Sequence, residues 1–200
     1  MGLTRKQAAL KRGFDLFCAC LGLAAMFWLI ALVWIVATLD TGANGFYTQE
    51  RVGRFGRRFR VIKLRSMRDV PAIQTTVTTA GDARITRLGR LLRQLKFDEL
   101  PQLINVLKGE MSIVGPRPDV PGFADKLEGE DRVILSIRPG ITGPASLKYR
   151  NEESLLAGVD DPEAYNHEVI FPDKVGLNRE YIEHWSFAND LRYIWQTIMG

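Results

Sequence analysis

Between Leu16 and Leu39 the chain runs 24 residues without a charge, LFCACLGLAAMFWLIALVWIVATL. At a helical rise of ~1.5 Å per residue, such a run is long enough to cross a hydrocarbon core of roughly 30 Å. A chain of 200 residues has too little other mass to enclose a helix that is apolar all round. A cleaved signal peptide fits no better, because the run is too long and no small-residue cleavage pattern precedes Asp40. The run is expected to be a membrane segment, with an N-terminal membrane-embedded helix over residues 1–40 and a second domain over residues 41–200.

The flanks of the run carry its orientation. Arg5, Lys6, Lys11 and Arg12 precede it, and Arg51, Arg54, Arg57, Arg58, Arg60, Lys63, Arg65 and Arg68 follow it against Glu50 alone. Both flanks favour the cytoplasmic side. A spanning helix must export one of them, whereas a helix that turns back within one leaflet keeps both, so a re-entrant helix is expected. Its soft point is Gly22, because the run contains no proline.

The same asymmetry extends over the whole chain. Residues 1–118 hold 19 Lys/Arg against 8 Asp/Glu, a charge of +11, and the remainder holds 8 against 15, a charge of −7. A basic half of this size needs anionic company: phosphate in a substrate, phospholipid head groups or nucleic acid. Cys18 and Cys20 lie too close in sequence for an ordinary disulfide and lack partners at metal-ligand spacing, which excludes a disulfide scaffold and a zinc module.

Beyond the run, FYTQERVGRFGRRFRVIKLRSM alternates on either side of Gly53 and Gly56 and predicts a β-hairpin with a cationic face. Asp69 to Ala80 reads as a polar, Thr-rich loop. In ARITRLGRLLRQL, Ile85, Leu88, Leu91, Leu92 and Leu95 share one helical face while Arg84, Arg87, Arg90 and Arg93 spread over the other, as in an amphipathic helix on an anionic membrane surface. FDELPQLINVLKGE predicts a helix capped by Asp98, with Pro101 in its first turn. The prolines and glycines of MSIVGPRPDVPG and IRPGITGPAS predict loops. Helices are expected around Glu152 to Leu156 and from Asn178 to Ile198, the second bearing Tyr181, Trp185, Tyr193 and Trp195 as packing or interface anchors. The fold class is α+β: mostly helical, with a β-hairpin, the re-entrant helix and amphipathic helices at the membrane surface.

The adjacent carboxylates Asp98 and Glu99 are the candidate chemical centre. At a helix N-terminus a carboxylate is held ionised, and the same N–H groups cradle phosphate. An ionised Asp98 has the chemistry to attack phosphorus and form an aspartyl phosphate, with Glu99 helping to hold Mg²⁺. Arg93 and Arg117 offer bidentate clamps for diphosphate oxygens.

KRGFD at 11–15, the apolar run, the hairpin segment, GDARITRLGRLLRQLKFDELPQLINVLKGEMSIVGPRP at 81–118 and RPGITG at 138–143 together resemble the bacterial sugar transferase family, the small monotopic phosphoglycosyl transferases. The resemblance covers nearly the whole chain in order. It implies transfer of a phosphosugar from a UDP-sugar to undecaprenyl phosphate, a polyprenyl phosphate, with release of UMP, by a catalytic domain on the cytoplasmic face of the bacterial inner membrane. It also implies Asp98 as nucleophile, Glu99 as its partner and Mg²⁺ at the dyad. Lys63, Arg93 and Arg117 match basic residues near the phosphates, Arg138, Pro139 and Gly140 match a loop shaping the nucleotide pocket, and Asp190 matches an acidic position counted with the metal ligands. The family typically carries Ser-Pro where Phe27-Trp28 stands here.

A reading from another class is a non-catalytic membrane-tethered basic module that binds anionic lipid or nucleic acid. It explains the charge but not the acids between Arg93 and Arg117, so UDP-sugar, polyprenyl phosphate and membrane lipid are the expected partners and nucleic acid is not. His167 and His184 add nothing to either reading. The sugar, for which LKYRNEESLLAG offers no rule, and the question of a homodimer stay open.

Overall fold

The computed structural model describes residues 2–70, 75 and 77–200. The chain is α+β and mostly helical, as expected. Helix α1 (Arg5–Thr41) opens with a capping box, in which the Thr4 hydroxyl accepts from Gln7 N and the Gln7 side chain accepts from Thr4 N, and it ends at Gly42 in the left-handed region. It continues through Gly22 and Phe27-Trp28, so the soft point is not a break. Lys11, Asp15 and Ala19 are buried in its first half and Ile30, Val33 and Ala37 in its second, while Ala24 to Trp28 between them are exposed.

Strands β1 (Phe46–Val52) and β2 (Arg58–Leu64) form the expected antiparallel hairpin, with Phe46 opposite Leu64 and Val52 opposite Arg58. Val61 and Leu64 turn into the core, Val61 against Ala19, Val106 and Met111, and Leu64 against Ile30, Val33 and Leu92. Residues 71–74 and 76 of the Thr-rich loop lie outside the described residues; at its end Ala80 N donates to Glu153 O.

Helix α2 (Arg87–Gln94) is shorter than its pattern suggests, because Thr86 caps it and Ile85 instead bridges to Met67. Leu88 and Leu92 pack inward while Leu91 and Leu95 stay exposed. The dyad does not open the next helix. Lys96 takes a left-handed conformation (φ 58°), residues Phe97–Glu99 form a 3₁₀ turn, and α3 (Gln102–Lys108) starts only after Pro101. The proline fills the role expected of Asp98, because its fixed φ suits a helix entry.

The Pro/Gly segments are not loops throughout. Strand β3 (Ser112–Val114) precedes GPRP, strand β4 (Gly140–Thr142) lies within RPGITG, and the two pair in parallel, Ser112 with Gly140 and Val114 with Thr142. The backbones approach so closely that a Cβ on Gly140 would lie 2.1 Å from Gly115 N, and one on Gly115 would lie 2.6 Å from Arg138 O. Pattern reading misses this pair because three-residue strands carry too little periodicity.

The C-terminal third forms α4 (Pro144–Lys148), α5 (Glu152–Leu156), α6 (Pro162–Tyr165), α7 (Phe171–Glu183) and α8 (Phe187–Met199), with a π turn over Asn166–Ile170 between α6 and α7. The single helix expected from Asn178 to Ile198 is two, interrupted after Glu183 and restarted where the Ser186 hydroxyl caps α8. Val52, Val114, Ile134, Ile137, Val175, Tyr181 and Ile182 make the core beneath them. Packing runs continuously across residue 40: α1 contacts β2, α2, α3 and β3.

Candidate active site

Five elements bring charged groups into one cluster. Lys63 comes from β2, Arg93 from α2, Asp98 and Glu99 from the 3₁₀ turn, Arg117 from the GPRP loop, and Glu152 and Glu153 from α5. Asn105 of α3 fixes β2: its Nδ2 donates to Arg60 O at 2.8 Å and to Glu110 Oε2 at 2.7 Å, while its Oδ1 accepts from Ile62 N at 3.0 Å. Gly89 lets α2 lie against the end of the hairpin, where a Cβ would meet Ser66 O at 1.8 Å. That approach brings Arg93 Nη1 to 3.4 Å from Ser66 Oγ. The GPRP loop is held from β1, with Val52 N donating to Asp119 O at 2.9 Å and Arg51 Nη1 to Pro118 O at 3.1 Å.

Both carboxylates are buried, Asp98 at 4% and Glu99 at 7% exposure, yet their surroundings differ. Glu99 Oε1 accepts from Lys63 Nζ at 2.9 Å and from Arg117 Nη2, and Oε2 accepts from Arg117 Nη1 at 3.3 Å. Burial alone would raise its pKa, but the ion pairs with Arg117 and Lys63 outweigh it and hold the carboxyl well below its ordinary range. Asp98 is pushed up, chiefly by burial and then by the charge of Glu99, against the pull of Lys63, Arg93 and Lys96. Its Oδ1 is buried without a hydrogen-bond partner, and so is Arg93 Nε. The expectation that a helix dipole holds Asp98 charged is therefore replaced: the neighbouring cations favour its charged form, and burial outweighs them.

Lys63, Arg93 and Arg117 all converge on the dyad. The RPGITG residues do not. Arg138 Nε donates to Gly109 O at 2.8 Å, at the C-terminal end of α3, and Pro139 lies behind the GPRP loop with Val52, Pro116 and Ile137. Gly140 N donates to Pro116 O at 2.8 Å. These residues shape the site by carrying the loop that presents Arg117.

The structure also separates Asp190 from the dyad. Its carboxylate accepts from Lys11 Nζ at 2.6 Å, Tyr181 Oη at 2.6 Å and Trp185 Nε1 at 3.1 Å, and it is 1% exposed. Among the described residues no group of three or more His, Cys, Asp or Glu is placed to hold a metal. The unpaired Oδ1 of Asp98 and the singly bonded Oε2 of Glu99 would suit Mg²⁺, which takes one or two carboxylates and completes its shell with phosphate oxygens and water.

Sequence reasoning missed Arg51, Asp119, Glu152, Glu153 and Lys174. Glu153 pairs with Arg93, and Glu152 pairs with Lys174 at 2.7 Å. Asp119 is pushed up to about 6, first by burial, against the pull of Lys174 and Arg51. Arg51 is brought down to about 10 by burial and by Arg117. The signal available was the acidic pair opening α5, within the stretch LKYRNEESLLAG for which the sequence offers no rule.

A family described as bacterial sugar transferase matches residues 6–200. An exopolysaccharide production protein, ExoY, of Sinorhizobium fredii is 33% identical over 94% of this chain and 83% of its own length. A putative undecaprenyl-phosphate N-acetylgalactosaminyl 1-phosphate transferase of Bacillus subtilis is 44% identical over 64% of this chain and 72% of its own length. An undecaprenyl-phosphate glucose phosphotransferase of Komagataeibacter xylinus is 39% identical over 94% of this chain, which spans 35% of that longer protein.

Proposed function

The chain belongs to the bacterial sugar transferase family, and from that premise we propose that it transfers a sugar 1-phosphate from a UDP-sugar to undecaprenyl phosphate, releasing UMP, in the assembly of an extracellular polysaccharide or related glycan. It is a phosphoglycosyl transferase, in line with relatives named as phosphotransferases acting on undecaprenyl phosphate. The observation that carries the chemistry is the buried, unpaired Oδ1 of Asp98 among Lys63, Arg93 and Lys96. An orphaned buried acceptor is costly unless a ligand completes it.

In the first step the Asp98 carboxylate forms a bond to the sugar-bearing phosphorus. The bond from that phosphorus to the bridging oxygen breaks, and its electron pair leaves on UMP. In the second step a phosphate oxygen of the lipid carrier bonds to the same phosphorus, and the Asp98–phosphorus bond breaks, which restores the carboxylate. Lys63 and Arg117, held by Glu99, and Arg93 with its free Nε stabilise the phosphate charge. Asp98 and Glu99 would hold Mg²⁺, which supplies charge neutralisation at the phosphates when bound. A covalent intermediate lets the soluble donor react and its UMP leave before the lipid acceptor arrives. The two basic flanks of α1 support a cytoplasmic-face site that reaches both substrates, with both ends of the helix on one side of a bacterial inner membrane.

The test uses the full chain in nanodiscs. Donors labelled at the sugar-bearing phosphorus, taken from a panel of UDP-sugars, are added with Mg²⁺ and without acceptor. One donor should release about one equivalent of UMP and leave its label on the protein, and undecaprenyl phosphate should then discharge it. UMP release only when acceptor is present, with no label retained, would replace the covalent route by direct transfer. Absence of UMP release with every donor would refute the donor class.

A further inference from the structure

The mean hydropathy of the run says that α1 enters lipid; its packing says how. Its two ends contact the same body. Lys11, Asp15 and Ala19 are buried in the first half, Ile30, Val33 and Ala37 in the second. In the first half Arg12 donates to Val106 O at 2.7 Å and Asp15 Oδ1 accepts from Ile113 N at 2.9 Å, and in the second Arg68 Nη2 donates to Asp40 O at 2.9 Å. From Lys11 to Ala37 a helix is about 39 Å long at ~1.5 Å per residue. A compact body of about 160 residues is itself roughly 40 Å across. The helix thus lies across the body rather than standing on it, and it does so without a break.

The opposite face is bare and apolar. Leu10, Phe17, Leu21, Phe27, Trp28, Leu32, Ile35 and Leu39 are all more than half exposed or close to it, and only 17% of the most apolar 18-residue stretch is buried. A second apolar stripe continues this one. Phe14, on the line of Leu10, Phe17 and Leu21, meets Phe187 of α8 edge-on at 5.1 Å, and α8 then exposes Leu191, Trp195 and Ile198 at helical spacing. Trp28 points the same way: halfway along a deep hairpin or a spanning helix it would sit near the bilayer centre, whereas indole favours the interface.

We propose that α1 lies unbent in the plane of one leaflet, and that its outer face and that of α8 form a single apolar platform on which the catalytic body floats. The inference rests on the membrane reading above and replaces a bend with a flat helix as the way both basic flanks stay on one side. Charge complementarity commits the platform to lipid rather than to a second copy: the exposed Arg5 and Lys6 lie at one end of the uncharged run and the exposed Arg68 at the other, where an anionic head-group plane would meet both.

The experiment is a depth profile by spin labels. Single cysteines replace Leu10, Leu21, Phe27, Leu32, Leu39 and Trp195, one at a time, in the full chain carrying Cys18→Ala and Cys20→Ala. Each variant is placed in vesicles of phosphatidylethanolamine and phosphatidylglycerol, and far-UV circular dichroism selects those that keep the fold. Accessibility to oxygen against a water-soluble nickel chelate should place all six labels at one shallow depth, about 5–10 Å below the phosphates. A profile shallow at positions 10 and 39 and approaching the centre at 27, roughly 15 Å deep, would establish a bent re-entrant helix and overturn the proposal. Labels 10 and 39 near opposite head groups would establish a spanning helix. Water exposure at every position would refute the membrane reading itself, and dipolar broadening between labels at position 21 of two molecules would put a second copy on the stripe.

Discussion

Asp98 and Glu99 are neighbours in sequence and opposites in energetics, which makes single-atom exchanges informative. Asp98→Asn keeps the shape and removes the nucleophile, so UMP release should fall on the order of 10⁴-fold or more. The same change removes a buried charge with an unpaired oxygen, so stability in a denaturant titration should hold or rise. Glu99→Gln strips the shared counter-ion from Lys63 and Arg117 and should cost about 2 kcal/mol, less than the 3–5 of a fully buried pair because the Arg117 side chain keeps 36% exposure. Equal stability losses in the two variants would contradict this asymmetry. Asp119 adds a pH signature. Its folded pKa of about 6 lies above the unfolded carboxylate value, so its contribution to stability is full below about pH 4 and is lost as pH rises through 6. Asp119→Asn should therefore gain stability on wild type between pH 4 and 6, by on the order of 2 kcal/mol, and run parallel to it above. A difference independent of pH would remove the assignment.

At the scale of elements, the site depends on two close approaches, α2 on the hairpin at Gly89 and β3 on β4 at Gly115 and Gly140. Gly89→Ala puts a methyl 1.8 Å from Ser66 O, which only a backbone shift can relieve. The cost should be about 1–3 kcal/mol of stability. Activity should fall further than that loss explains, because Arg93 moves with α2; kinetics at a temperature where the variant is fully folded would show a raised KM for the donor. An unchanged KM would mean that α2 absorbs the shift without moving Arg93. What was legible in sequence follows the same division. The hairpin, α5 and the inward Leu88 and Leu92 of α2 rest on local periodicity and turn chemistry, and the structure bears them out. The 3₁₀ turn under the dyad, the β3–β4 pair and the break between α7 and α8 are set by contacts distant in sequence, such as Gly140 against Gly115. The convergence of Lys63, Arg93 and Arg117 on the dyad agreed with the motif positions, but the placement of Arg138 did not, because a guanidinium that caps α3 and one that faces phosphate look alike in a string of letters.

For the molecule as a whole, the basic half and the acidic third are joined by ion pairs: Glu153 with Arg93, Asp125 with Arg58, and Asp190 with Lys11. The last is the deepest, with side chains 7% and 2% exposed, and it ties the first turns of α1 to α8 through Tyr181 and Trp185 as well. Lys11, Tyr181 and Trp185 hold this carboxylate away from the dyad, where it fixes α1 against the C-terminal helix. Asp190→Asn should then cost about 3–5 kcal/mol, since Lys11 remains buried without its counter-charge. Lys11→Met together with Asp190→Asn should recover part of that loss, because the uncompensated charge is gone. The Mg²⁺ concentration that gives half-maximal UMP release should be the same in wild type and in whichever of these variants stays folded in nanodiscs. A several-fold rise in the Mg²⁺ requirement of the folded double variant would return Asp190 to the metal site, and the position of α8 against α1 would then need another explanation.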